Sequence, residues 1–204
     1  VNFLQQQDQK VICIGHSFGA VITFIAACQH PELFRGIVLL DPPALTGMTA
    51  WLVKLAKKTK YIDKITPAGK TVNRQRSWPI GSNLIENFQH KNLFKNFDPR
   101  CIKDYTLHGI KKNEDQLELV FSPIVEAQIF RSVPSNLSQF KNKLSIPSAL
   151  IYGEKSDILS PAMFKRFAKQ NNITIKMIPN GGHMFPLEQP EATAQIIKTL
   201  INKW

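Results

Sequence analysis

The chain has 204 residues, 43% of them hydrophobic and 20% charged, a balance that fits a packed globular core and excludes a disordered or fibrous chain. No apolar run approaches the roughly 20 residues a membrane-crossing helix needs; the nearest, residues 20–28, is too short. The formal net charge of +11 raises the question of an acidic partner, yet neither zinc-finger spacing nor an RNP-type aromatic pattern is present, so nucleic-acid binding is not expected.

Residues 11–14 (VICI) are apolar throughout and stop at Gly15, which predicts a short buried strand. Residues 18–29 follow as an Ala-rich helix that is apolar on most sides, ended by His30-Pro31 because proline disfavours helix at the residue before it. Residues 36–40 (GIVLL) form a second buried strand, closed by Asp41-Pro42-Pro43. Two apolar strands joined by a helix describe a β-α-β unit, and hence a parallel sheet covered on both faces. The pattern returns with a strand at 148–152, a helix at 161–169, a strand at 173–178 and a closing helix at 190–204. Pro190 and Glu191 suit the first turn of that helix.

Between residues 46 and 145 the texture changes. Polar, Lys-rich segments such as WLVKLAKKTKYI read as helices, and residues 105–110 and 116–121 read as a hairpin across KKNED. Residues 51–145 carry 17 Lys and Arg against 8 Asp and Glu, so most of the excess positive charge lies here. The expected organisation is a core from 1–45 and 146–204, with a mainly helical cap inserted at 46–145.

The stretch GHSFG places a serine where a buried strand meets a buried helix. A sharp turn there strains the backbone, and glycines at 15 and 19 are expected to leave room for it. The turn lifts the Ser17 hydroxyl above the strand ends and sets it beside a helix N-terminus, whose amides can bind an oxyanion. A serine hydroxyl needs a base, and the base needs an orienting carboxylate. Of five histidines, His16 adjoins Ser17 and is expected to point elsewhere, His30 ends a helix, and His90 and His108 lie in the inserted region. Only His183 follows a core strand in a Gly-rich loop, IPNGGHMFP, at the strand end where parallel sheets collect ligands. For the carboxylate, Asp157 in YGEKSDILSP is favoured on chain order and loop position. Asp41 is the rival, expected instead to brace the DPP turn or the entry to the insertion.

GHSFGA, HPELFRGIVLLDPP, GEKSDILSP and GGHMFPLEQPE, in this order, resemble the α/β-hydrolase family over residues 11–43 and 146–204. The resemblance implies an α/β-hydrolase-like parallel sheet of which four core strands are present. It also implies Ser17 as nucleophile, Asp157 as acid, His183 as base and the Phe18 backbone N–H as an oxyanion donor. In that family further strands precede the nucleophile strand and one of their loops supplies a second donor; ten residues before Val11 are too few for them. A truncated chain is therefore expected, one that shows little esterase turnover alone.

The leading expectation is a serine hydrolase cleaving a carboxylic ester or related acyl bond, with no metal and no cofactor. The small-molecule substrate could be anionic or carrier-bound, given the basic insertion. The alternative is a catalytically inactive member that uses the fold for binding or interaction. Cys13, Cys28 and Cys101 are odd in number and widely spaced, which favours a reducing compartment and a cytoplasmic location.

Overall fold

A computed structural model describes residues 1–204. Its strands are β1 (Val11–His16), β2 (Phe34–Leu40), β3 (Ser77–Pro79), β4 (Ile110–Lys112), β5 (Gln116–Leu119), β6 (Ser148–Gly153) and β7 (Thr174–Ile178). Two compact units divide the chain: Val1–Ala50 with Pro134–Trp204, and Trp51–Val133. The second is narrower than the expected 46–145, because Leu137 and Phe140 are buried in the hydrophobic core of the first.

In the first unit, β1, β2, β6 and β7 form a parallel sheet in that spatial order. Parallel strands need covering on both faces, and the side-chain alternation of β2 shows how this chain does it. Ile37 and Leu39 turn to one face, where they pack with Val21 and Phe24 of the helix Phe18–Gln29 and with Phe164 and Phe167 of the helix Pro161–Gln170. Val38 and Leu40 turn to the other, where Ile151, Ile178, Phe185 and Leu200 of the helix Pro190–Ile201 complete a second core. Phe24 and Phe167 meet edge-on at 5.0 Å, a favoured aromatic geometry. Strand β6 is buried at every position. Strand β1 lies at the edge of the order and is only partly covered, with Ile14 exposed.

The second unit carries the antiparallel sheet β3-β5-β4 and short helices around an aromatic cluster of Trp78, Phe88, Phe94, Phe97 and Tyr105. Arg131 holds Asp63 through two hydrogen bonds of 2.7 Å, and Arg74 pairs with Glu126. The expected hairpin forms only from Ile110 onward. Residues 105–108 complete the helix Pro99–His108 instead, started by the Asp98 side chain accepting the Arg100 N–H at 2.9 Å and by Pro99 in the first turn. A strong N-cap there overrides the β-prone side chains downstream.

Candidate active site

The turn between β1 and the helix Phe18–Gln29 holds Ser17 at φ 54°, ψ −125°, a conformation that costs a non-glycine residue roughly 1–3 kcal/mol. Its amide pays part of that back by donating to the Leu40 carbonyl of the neighbouring strand at 2.9 Å. Gly15 is obligatory for the turn: a Cβ there would lie 2.6 Å from the Gly19 carbonyl oxygen and 2.7 Å from Thr23 Oγ1. The room expected around Gly19 is not needed in the same way, since a Cβ at that position meets nothing within 4 Å. Phe18 opens the helix, and an amide in that position has no intrahelical acceptor.

At the end of β2 the chain turns through Asp41 at φ 47°, with its amide donating to the Ile151 carbonyl at 2.8 Å. The Asp41 side chain is fully buried, and its carboxylate is satisfied by three donors. These are the Gly153 N–H at 3.1 Å, the Ser156 hydroxyl at 2.5 Å and His183 Nδ1 at 2.7 Å. His183 Nε2 in turn lies 3.0 Å from Ser17 Oγ. With Nδ1–H donated to Asp41, Nε2 is left as the acceptor for the serine proton.

Of the residues expected at the site, Ser17 and His183 are therefore brought together, and the carboxylate on His183 is Asp41 rather than Asp157. Asp157 is exposed and bonded to none of the three. The physical reason is sheet order. β2 lies directly beside β1, so its carboxyl end meets the serine turn, whereas the β6 loop one strand further on supplies Gly153 N–H and Ser156 Oγ to Asp41.

The loop carrying His183 is tied down along its length. Asn180 N–H donates to Glu154 Oε2 at 2.8 Å, Lys155 N–H to the Gly181 carbonyl at 2.8 Å, and Gly182 N–H to Glu188 Oε2 at 2.7 Å. Gly153 lets the two loops touch, since a Cβ there would stand 2.4 Å from the carbonyl oxygens of both Gly181 and Gly182. Ser156, Glu188 and Gly153 were not singled out from the sequence; their roles depend on contacts between segments remote in the chain.

His16 does not point away. Its Nε2 lies 2.9 Å from the His183 carbonyl oxygen, and the two rings are 4.9 Å apart. Burial holds its pKa below the ordinary 6.5; the hydrogen bond to His183 and the Asp41 charge oppose that shift, and the His183 ring adds to it. A histidine whose folded pKa is depressed binds fewer protons folded than unfolded. Its stability contribution is thus intact above pH 6.5 and is lost as pH falls through 6.5 toward the depressed value. His16→Gln is expected to flatten this segment of the urea-unfolding stability between pH 7 and 5; an unchanged pH slope would contradict it.

No cluster of three His, Cys, Asp or Glu side chains is placed to hold a metal ion, and no helix is long and apolar enough to cross a membrane.

Comparison with known proteins agrees with this architecture. Residues 5–190 match the family model for the alpha/beta hydrolase fold. A 1-acylglycerol-3-phosphate O-acyltransferase of Saccharomyces cerevisiae is 26% identical over 225 aligned positions, covering 96% of this chain and 56% of the relative. A type I acyl-CoA thioesterase of Penicillium brevicompactum is 29% identical over 109 residues, covering 52% of this chain and 23% of the relative. The chain thus spans little more than half of the first of these curated relatives and about a quarter of the second. Among solved structures, E-2-(acetamidomethylene)succinate hydrolase superimposes with a TM-score of 0.76 at 19% identity, covering 98% of this chain and 70% of that one. A parallel β1-β2-β6-β7 sheet, a strained serine between strand and helix, and a family match over most of the length lead to one assignment: the chain belongs to the α/β-hydrolase fold family.

Proposed function

We propose that the protein is a serine hydrolase acting on an acyl bond, with Ser17 as nucleophile, His183 as general base and acid, and Asp41 as the orienting carboxylate. The observation that carries this reading is the continuous hydrogen-bonded path from Ser17 Oγ through the His183 ring to a buried, fully satisfied Asp41. Ser17 Oγ attacks the carbonyl carbon while its proton passes to His183 Nε2. The resulting oxyanion accepts the Phe18 N–H, and Asp41 stabilises the imidazolium. Collapse expels the leaving group, which takes the proton from Nε2. Water, deprotonated by His183, then releases the acyl group and restores the serine. Related family members named as a thioesterase and an acyltransferase support an acyl substrate.

The 17 Lys and Arg against 8 Asp and Glu in residues 51–145 favour an acyl group delivered on an anionic carrier. Electrostatic steering of that kind weakens with salt. In the full-length protein, kcat/KM for an acyl thioester of a phosphate-bearing carrier is expected to fall as NaCl rises from 20 to 300 mM, while that for a neutral p-nitrophenyl ester stays level. Equal salt dependence for the two would remove the steering. The odd number and wide spacing of Cys13, Cys28 and Cys101 support a reducing, cytoplasmic setting.

A further inference from the structure

We propose that His16 is a positioning residue: its Nε2–H, donated to the main-chain carbonyl of His183, holds the histidine loop so that the His183 ring stays on both Ser17 and Asp41. The inference rests on the hydrolase reading for its catalytic consequence, though not for its geometry.

The other tethers of this loop stop short of His183 itself. Glu154, Lys155 and Glu188 fix residues 180–182. The His183 carbonyl could look forward along the chain for a donor, as carbonyls do where a helical turn begins. Three residues on, however, stands Pro186, which has no N–H. Four residues on, the Leu187 amide is already given to Met184 at 2.8 Å. His16 supplies the missing donor from another strand, at 2.9 Å.

The chain position of the donor matters as much as the bond. His16 ends β1 and is followed immediately by Ser17, so two consecutive residues grip one histidine, the first by its backbone and the second by its ring. A shift of the histidine loop away from the serine turn breaks the His16 bond as well as the bond from the ring to Ser17. The ring also lies beside His183 at 4.9 Å and 32° of tilt, which limits how far the catalytic imidazole can swing. Burial favours neutral His16, and a neutral neighbour does not oppose the positive charge His183 gains when it takes the serine proton.

The test compares two substitutions in the full-length protein. His16→Gln keeps a side-chain N–H at similar reach, whereas His16→Leu keeps bulk and loses the donor. His16→Leu is expected to lower kcat for a p-nitrophenyl ester by about 10- to 100-fold, with KM changed less than about twofold, the scale of loss for a misplacement near 1 Å. It should also broaden or abolish the low-field proton resonance of the His183–Asp41 hydrogen bond. His16→Gln should recover kcat to within about threefold and keep the resonance. If the two variants behave alike in kcat and in the resonance, whether both intact or both impaired, the positioning role is wrong. The resonance separates the two ideas: loss in the Leu variant and retention in the Gln variant, in a protein without esterase activity, would sink the hydrolase reading and leave His16 positioning standing.

Discussion

Asp41→Asn is expected to lower kcat by about 10⁴-fold with little change in KM, while Asp157→Asn stays within about twofold of the parent. The magnitude follows from the tautomer. The Gly153 N–H, which can only donate, bonds Asp41 Oδ1, while the Ser156 hydroxyl and His183 Nδ1 share Oδ2. An asparagine satisfies the Gly153 N–H by placing its oxygen at the Oδ1 position, which puts its NH₂ at the Oδ2 position, where the Ser156 hydroxyl can turn to accept and His183 Nδ1 meets a donor. The imidazole must then carry its proton on Nε2, and an Nε2–H cannot accept the proton of Ser17. Structure is retained and the base is lost, so the effect falls on kcat. Asp157, exposed and outside the bonded path, has no such lever. Steady-state kinetics on a p-nitrophenyl ester decide between the two aspartates. A large loss in Asp157→Asn with a near-normal Asp41→Asn would reverse the assignment.

Gly153→Ala is expected to act at a distance of one loop. The added Cβ would be placed 2.4 Å from two carbonyl oxygens, those of Gly181 and Gly182, which lie immediately before His183. Backbone oxygens cannot rotate out of the way as a side chain would, so the histidine loop has to move. Overpacking of this kind costs about 1–3 kcal/mol of stability, and a displacement near 1 Å at the base costs about 10²-fold in rate. Thermal melting and kcat should both report it, with Gly19→Ala as the control for stability, since nothing lies within 4 Å of a Cβ there. Parent-like melting and turnover in Gly153→Ala would show that the two loops are not in obligatory contact.

The serine turn and the histidine were legible in the sequence for different reasons. GHSFG could be read because strand and helix are both strongly apolar and the motif sits at their junction. His183 could be read because it alone follows a core strand in a Gly-rich loop. The choice of aspartate was not legible. Both Asp41 and Asp157 end or follow core strands, and the order serine, acid, histidine, a ground on which the sequence favours Asp157, holds equally for Asp41. What separates them is the spatial order of strands, which places β2 beside β1 and turns Asp41 inward at positive φ. The same limit explains His16. A neighbour of the serine looks idle until the loop from residue 183 is folded against it. In the second unit, local capping by Asp98 made a helix of residues whose side chains alone suggested a strand.

Covalent labelling reads directly whether Ser17 is the activated nucleophile proposed above. A fluorophosphonate probe applied to the full-length native protein, followed by peptide mass mapping, should place a single adduct on the peptide containing Ser17. The adduct should be absent after heat denaturation and in Ser17→Ala. An unlabelled native protein, or an adduct on another residue that persists in Ser17→Ala, would contradict it.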